Sequence, residues 1–130
     1  MNITKQLQSP FLFKPSVILT DIDDTLTWNG KLPPETFQAI SQLKEAGIPV
    51  IPVTGASCGW CDCIVRTWPI DTIIGENGAL IISNKEKHQV EFLNPPNVRK
   101  EYKEKLSTLT DHVFSAIPEA KLTHDTLYRI

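Results

Sequence analysis

The chain has 130 residues, 41% hydrophobic and 22% charged, with a formal charge of −2. That length suits one domain with a real core, and the charge gives no electrostatic basis for a nucleic-acid or anionic-membrane partner. No apolar run is long enough to cross a bilayer and Met1–Gln6 has no apolar signal core, so the sequence reads as soluble and cytoplasmic.

Residues 1–15 read as a tail and lead-in, broken at Pro10 and Pro15. Val17 to Thr20 is a short continuous apolar run, which predicts a strand buried on both faces of a parallel α/β sheet. Asp21-Ile22-Asp23-Asp24-Thr25-Leu26-Thr27 leaves its carboxyl end. Such sheets bind ligands just beyond that end. Asp21 and Asp23 are two residues apart, so in extended geometry both carboxylates face one side. A lone Asp there is commonly a turn former or a helix cap. A pair suits phosphate chemistry: one carboxylate attacks, the other carries the leaving-group proton, and Mg²⁺ offsets the charge.

Trp28-Asn29-Gly30-Lys31 predicts a turn. Pro33-Pro34-Glu35 opens a helix, Phe37, Ile40 and Leu43 give it one buried stripe, and Gly47 closes it. Ile48 to Val53 is the second strand, although Pro49 and Pro52 sit badly in a central ladder. It ends at Thr54-Gly55. Thr54 can hydrogen-bond a phosphate oxygen, and Gly55 lets backbone amides approach the same anion. The next helix, about Cys58 to Trp68, would add its positive end. Cys58, Cys61 and Cys63 fit a reducing compartment; small buried thiols suit them better than zinc, which wants a closed four-ligand shell. Trp60 and Trp68 read as core.

Asp71 to Ile74 is a third strand ending at Gly75-Glu76-Asn77-Gly78. Asn77 can position a ligand hydroxyl or orient a neighbour. Ala79–Ser83 and Gln89–Leu93 predict a hairpin, with His88 in its solvated loop. Asn94-Pro95-Pro96-Asn97 reads as a linker. Val98, Tyr102, Leu106, Leu109 and Val113 then predict an amphipathic helix stopped by Pro118, with Arg99, Lys100, Lys103 and Lys105 on its solvated face. His112 and His124 have no partner in sequence, and Lys121 to Ile130 reads as a last strand.

Asp21 to Thr27 resembles the first motif of the haloacid dehalogenase-like (HAD) hydrolases, Val53-Thr54-Gly55 resembles their second, and Gly75 to Ala79 resembles a segment of the subgroup with an α/β cap after the third strand. Gly59 to Asp62 and Tyr128-Arg129 are similar to bacterial members. The resemblance spans residues 16–130. It implies a Rossmann-like three-layer sandwich with a parallel sheet, its N-terminal portion at 16–93 and part of a cap at 94–130. It also implies a Mg²⁺-dependent phosphatase of small phosphorylated metabolites, sugar phosphates among them.

By that match Asp21 is the nucleophile that forms an aspartyl-phosphate. Asp23 is the general acid, Asp21 and the Asp23 carbonyl are Mg²⁺ ligands, and Thr54 holds the phosphoryl group. Asp24 stands where a glycine is common. The family's third-motif basic residue and fourth-motif acid pair have no match: Lys100, Lys121, Asp111 and Asp125 do not fit them. The sequence therefore reads as ending inside the cap, with weak turnover, since each missing electrostatic element costs on the order of 10²–10³ in rate. The rival reading is a degenerate, self-associating interaction protein. A phospho-acceptor receiver domain fits poorly, because its acceptor Asp would fall at Glu76 and Thr54-Gly55 would have no role.

Overall fold

The computed structural model describes residues 15–122. Its elements in chain order are β1 (Ile18–Thr20), α1 (Pro34–Glu45), β2 (Val50–Pro52), α2 (Cys58–Thr67), β3 (Thr72–Gly75), β4 (Leu80–Ser83), β5 (Gln89–Phe92) and α3 (Pro96–Ala116). β1 and β2 run parallel with Thr20 opposite Pro52. β3, β4 and β5 form an antiparallel meander. One parallel bridge, Val53 to Ile74, joins the two sheets. The fold is mixed α/β: a small parallel sheet beside an antiparallel one.

The prolines of β2 are placed where their missing donors are harmless. In a parallel ladder alternate residues bond to alternate sides. Pro49 serves β1 through its carbonyl, accepting from Ile18 N at 2.9 Å, and Val53 N donates to Thr20 O at 2.8 Å. Pro52 faces the β3 side, where the next residue on that side, Thr54, donates its N–H to Ile74 O at 3.0 Å.

α1 starts with proline in its first turn and Glu35 at the positive end of its dipole. Gly47, at φ +73°, ends it: Gly47 N donates to Lys44 O and Ile48 N to Leu43 O. This paired closure needs the left-handed region that glycine enters without a Cβ clash. Ile40 is buried and Leu43 packs on the core, but Phe37, expected in the same stripe, is 41% exposed. α2 buries Cys58, Cys61, Ile64 and Val65 on one face, against β3 and β4. Ile73, Leu80 and Ile82 complete this centre, each almost wholly removed from water. Each such side chain contributes roughly 1.5–3 kcal/mol, so the α2–meander contact dominates the packing.

The two crossovers step across the sheet in the same direction. Right-handed connections then put α1 and α2 on one face. Burial follows: Val50 and Pro52 are buried, while Leu19, on the opposite face of β1, is 63% exposed. β1 is thus not buried on both faces as its apolar run predicts. Among the described residues it has one neighbouring strand and one covered face, so the third layer of a three-layer sandwich is not formed there. α3 has the predicted span, but none of its residues is buried, and Leu106, Leu109 and Val113 lie at the surface. Lys121 and Leu122 form no strand, and residues 123–130, with His124 and Tyr128-Arg129, lie outside the described residues. No described helix is long and apolar enough to cross a membrane.

Candidate active site

The loop after β1 winds around one carbonyl. Thr25, Leu26 and Thr27 amides all donate to Ile22 O, at 3.2, 2.9 and 3.0 Å. The Thr27 hydroxyl donates to the same oxygen at 3.0 Å and accepts from Asp24 N at 3.3 Å. Ile22 and Thr27 are buried, so the coil is pinned from inside. Asp21 and Asp23 flank Ile22 and are exposed, and neither carboxylate is hydrogen-bonded to a described residue. Asp24 has φ +56°. That left-handed value explains why glycine suits the position, and Asp is one of the few other residues that tolerate it.

The β1–β2 register places Asp21 beside Val53, one residue before Thr54. Thr54 is 3% exposed. Its N donates to Ile74 O, its carbonyl accepts from Asn77 N at 3.1 Å, and its hydroxyl accepts from Ala56 N at 3.0 Å. The hydroxyl proton is left to donate. The Gly55 amide has no partner among the described residues. A Cβ at Gly55 would stand 3.1 Å from Asn77 Oδ1, so the Asn77 side chain lies directly over Gly55. Glu76 and Asn77 hold left-handed φ values of 49° and 56° in the tight turn that brings Asn77 there.

Asp23, Thr27 and Thr54 share a cavity of about 400 Å³, walled by Leu32, Trp60 and Trp68. Gly55 and Asn77 open on the other side into a second cavity, of about 370 Å³. Of the expected residues, Asp23 and Thr54 thus line one cavity, Gly55 and Asn77 line the other, and Asp21 lines neither.

Several expectations change. Glu76 Oε1 accepts from Cys58 N at 3.1 Å, so a carboxylate already meets the positive end of α2 that was expected to attract an anion. Trp60 is 66% exposed rather than core, whereas Trp68 packs on the core. Cys58 and Cys61 are buried and Cys63 is exposed, and no described group of three His, Cys, Asp or Glu residues could hold a metal. His88 is only partly solvated: its Nε2 lies 3.0 Å from Asp62 Oδ1, which also takes the Arg66 Nε, tying the hairpin loop to α2. Arg99 is not on a solvated face either. Its guanidinium lies 3.9 Å from the Phe92 ring centroid, and its Nε is buried. Sequence periodicity missed both because each is held by a contact with a distant element, although Arg99 lies one residue from the apolar position Val98.

Residues 18–121 match the family model of haloacid dehalogenase-like hydrolases. The chain belongs to that family. No curated protein matches it. Among solved structures, a hypothetical protein of Geobacillus kaustophilus is similar at 25% identity and TM-score 0.59, over 79% of this chain and 38% of its own. A haloacid dehalogenase-like hydrolase of Bacillus subtilis is similar at 24% identity and TM-score 0.59, over 75% and 34%. A HAD-superfamily phosphatase of Bacteroides thetaiotaomicron is similar at 21% identity and TM-score 0.53, over 79% and 40%. The chain thus spans between 34% and 40% of the length of these structures.

Proposed function

We propose that this chain carries the nucleophile half of a phosphatase site for small phosphorylated metabolites, sugar phosphates among them. The observation that supports it most is the pairing of β1 and β2 ends: Val53 N donates to Thr20 O at 2.8 Å, one residue before Asp21 on one strand and one before Thr54 on the other. On this reading residues 16–93 are the core portion of the Rossmann-like sandwich and residues from 94 onward begin the cap.

Asp21 attacks phosphorus through a carboxylate oxygen. The P–O bond to the leaving group breaks, and Asp23 gives that oxygen a proton. Thr54 Oγ1 and the Gly55 amide hydrogen-bond the phosphoryl oxygens, which gain charge in transfer. A water then attacks the aspartyl-phosphate, Asp23 takes its proton, and the P–O bond to Asp21 breaks to release phosphate. Asn77 would position a hydroxyl of the leaving group.

The donor set fits Mg²⁺. That ion is commonly bound by one or two carboxylates, with phosphate oxygens and waters filling its shell. Asp21 and the Asp23 carbonyl would hold it, since the exposed Asp21 carboxylate has no described partner to give up. When bound it supplies charge neutralisation between carboxylate and phosphate.

The test is Mg²⁺-dependent hydrolysis of an aryl phosphate by the purified chain. Slow release of the aryl alcohol is expected, abolished by Asp21→Asn. Equal release by that variant contradicts the assignment.

A second reading, self-association, is favoured by the edge and face of β1 that no described residue covers and by the exposed apolar side chains of α3. A mass in solution that stays monomeric over a wide concentration range contradicts it.

A further inference from the structure

The cavity on the Gly55 and Asn77 side contains a cation that is not paired with a described carboxylate. Arg99, in the first turn of α3, has its guanidinium carbon 3.9 Å from the Phe92 ring centroid, and its Nε is buried with no hydrogen-bond partner among the described residues. Arg99 makes no salt bridge to any described carboxylate. Glu76, which lines the same cavity, is engaged at Cys58 N instead. Desolvating a guanidinium costs free energy unless an acceptor meets it. Stacking on an aromatic ring offsets part of that and fixes the plane of the donor fork, but it satisfies no N–H group. A planar, pre-oriented, unmatched fork is suited to a carboxylate or a phosphate.

The other wall of the cavity is Gly55 and Asn77, which adjoin the proposed phosphoryl site, and Tyr102 adds a phenol beside Arg99. A ligand with its phosphoryl group at Thr54-Gly55 would extend its remaining atoms over Asn77 toward Arg99. We infer that this cavity is a subsite for the leaving group, and that Arg99 selects phosphate esters carrying a second anionic group, a carboxylate or another phosphate. The inference rests on the phosphatase reading for where the first phosphate sits. The Arg99 contact itself requires no catalysis.

Binding of matched ligands to the full chain in Mg²⁺ tests it by calorimetry. Glucose 6-phosphate and 6-phosphogluconate differ by a carboxylate, and fructose 6-phosphate and fructose 1,6-bisphosphate differ by a phosphate. The wild-type chain should bind at least one ligand with two anionic groups about tenfold more tightly than its mate, as a charge-assisted pair supplies. Arg99→Gln should erase that preference and leave glucose 6-phosphate binding unchanged, while Arg99→Lys should retain part of it. Far-UV circular dichroism checks that both variants fold. The preferred pair tells carboxylate from phosphate. No preference in the wild type, no binding of either ligand with two anionic groups, or a preference that survives Arg99→Gln overturns the inference. Thr54→Val separates the two claims: it should weaken all four ligands alike. If it changes none, the phosphoryl site fails, while the Arg99 preference is still read on its own.

Discussion

At the scale of single residues, the site depends on a few buried polar groups that hold exposed acids in place. Thr27 is the clearest. Its hydroxyl bonds both Ile22 O and Asp24 N while the residue is buried. Thr27→Val keeps the shape and removes both bonds, so urea unfolding should show a loss of about 1–2 kcal/mol. Because the same bonds shape the loop that carries Asp23, any turnover should fall with it. Asp24 gives a second test. At φ +56° a β-branched side chain is strained, so Asp24→Val should cost about 1–2 kcal/mol while Asp24→Gly should not. Equal stabilities for the two variants would show that the loop does not hold this backbone in solution. Sequence alone pointed to Asp21, Asp23, Thr54, Gly55 and Asn77 as candidates because their types and strand-end positions are local signals. It did not identify Thr27 or Glu76, whose roles are set by the oxygen or amide each meets once folded.

At the scale of elements, helix starts and strand ends were legible and helix environments were not. Proline and glycine mark both ends of α1, and the apolar spacing of α3 matches its observed span. Spacing reports which residues share a face, but not whether anything covers that face. Hence the stripe of α3 lies exposed and Phe37 is only partly covered. α2 shows a related case. Its N-cap residue, Ser57, makes no side-chain cap, and Glu76 from the β3–β4 turn supplies the acceptor instead. Glu76→Ala should therefore cost about 1 kcal/mol in chemical unfolding. An unchanged midpoint would mean the Cys58 amide is satisfied by water.

At the scale of the molecule, the packing is one-sided. The α1–α2 side of the sheet is buried, while Leu19 on the other side of β1 and the apolar residues of α3 face solvent. Exposed apolar surface and a strand edge favour association. Replacing Leu109, 56% exposed, by Glu should leave thermal stability nearly unchanged and lower the apparent mass at high concentration. A large loss of stability in the monomer would place that side chain in a core. The same one-sidedness explains why the first strand was misjudged from its sequence. Its apolar run is that of a strand covered on both faces, and the described residues cover one.

The central claim is that the ends of β1 and β2 form one phosphate site. A titration of the isotope-labelled chain with inorganic phosphate in the presence of Mg²⁺, followed by amide chemical shifts, tests it most directly because it requires no turnover. The account predicts that the amides of Ile22, Asp23 and Gly55 shift together with one binding curve, and that Thr54→Val weakens that curve. Shifts confined to other elements, or no shift at these three amides at millimolar phosphate, would contradict it.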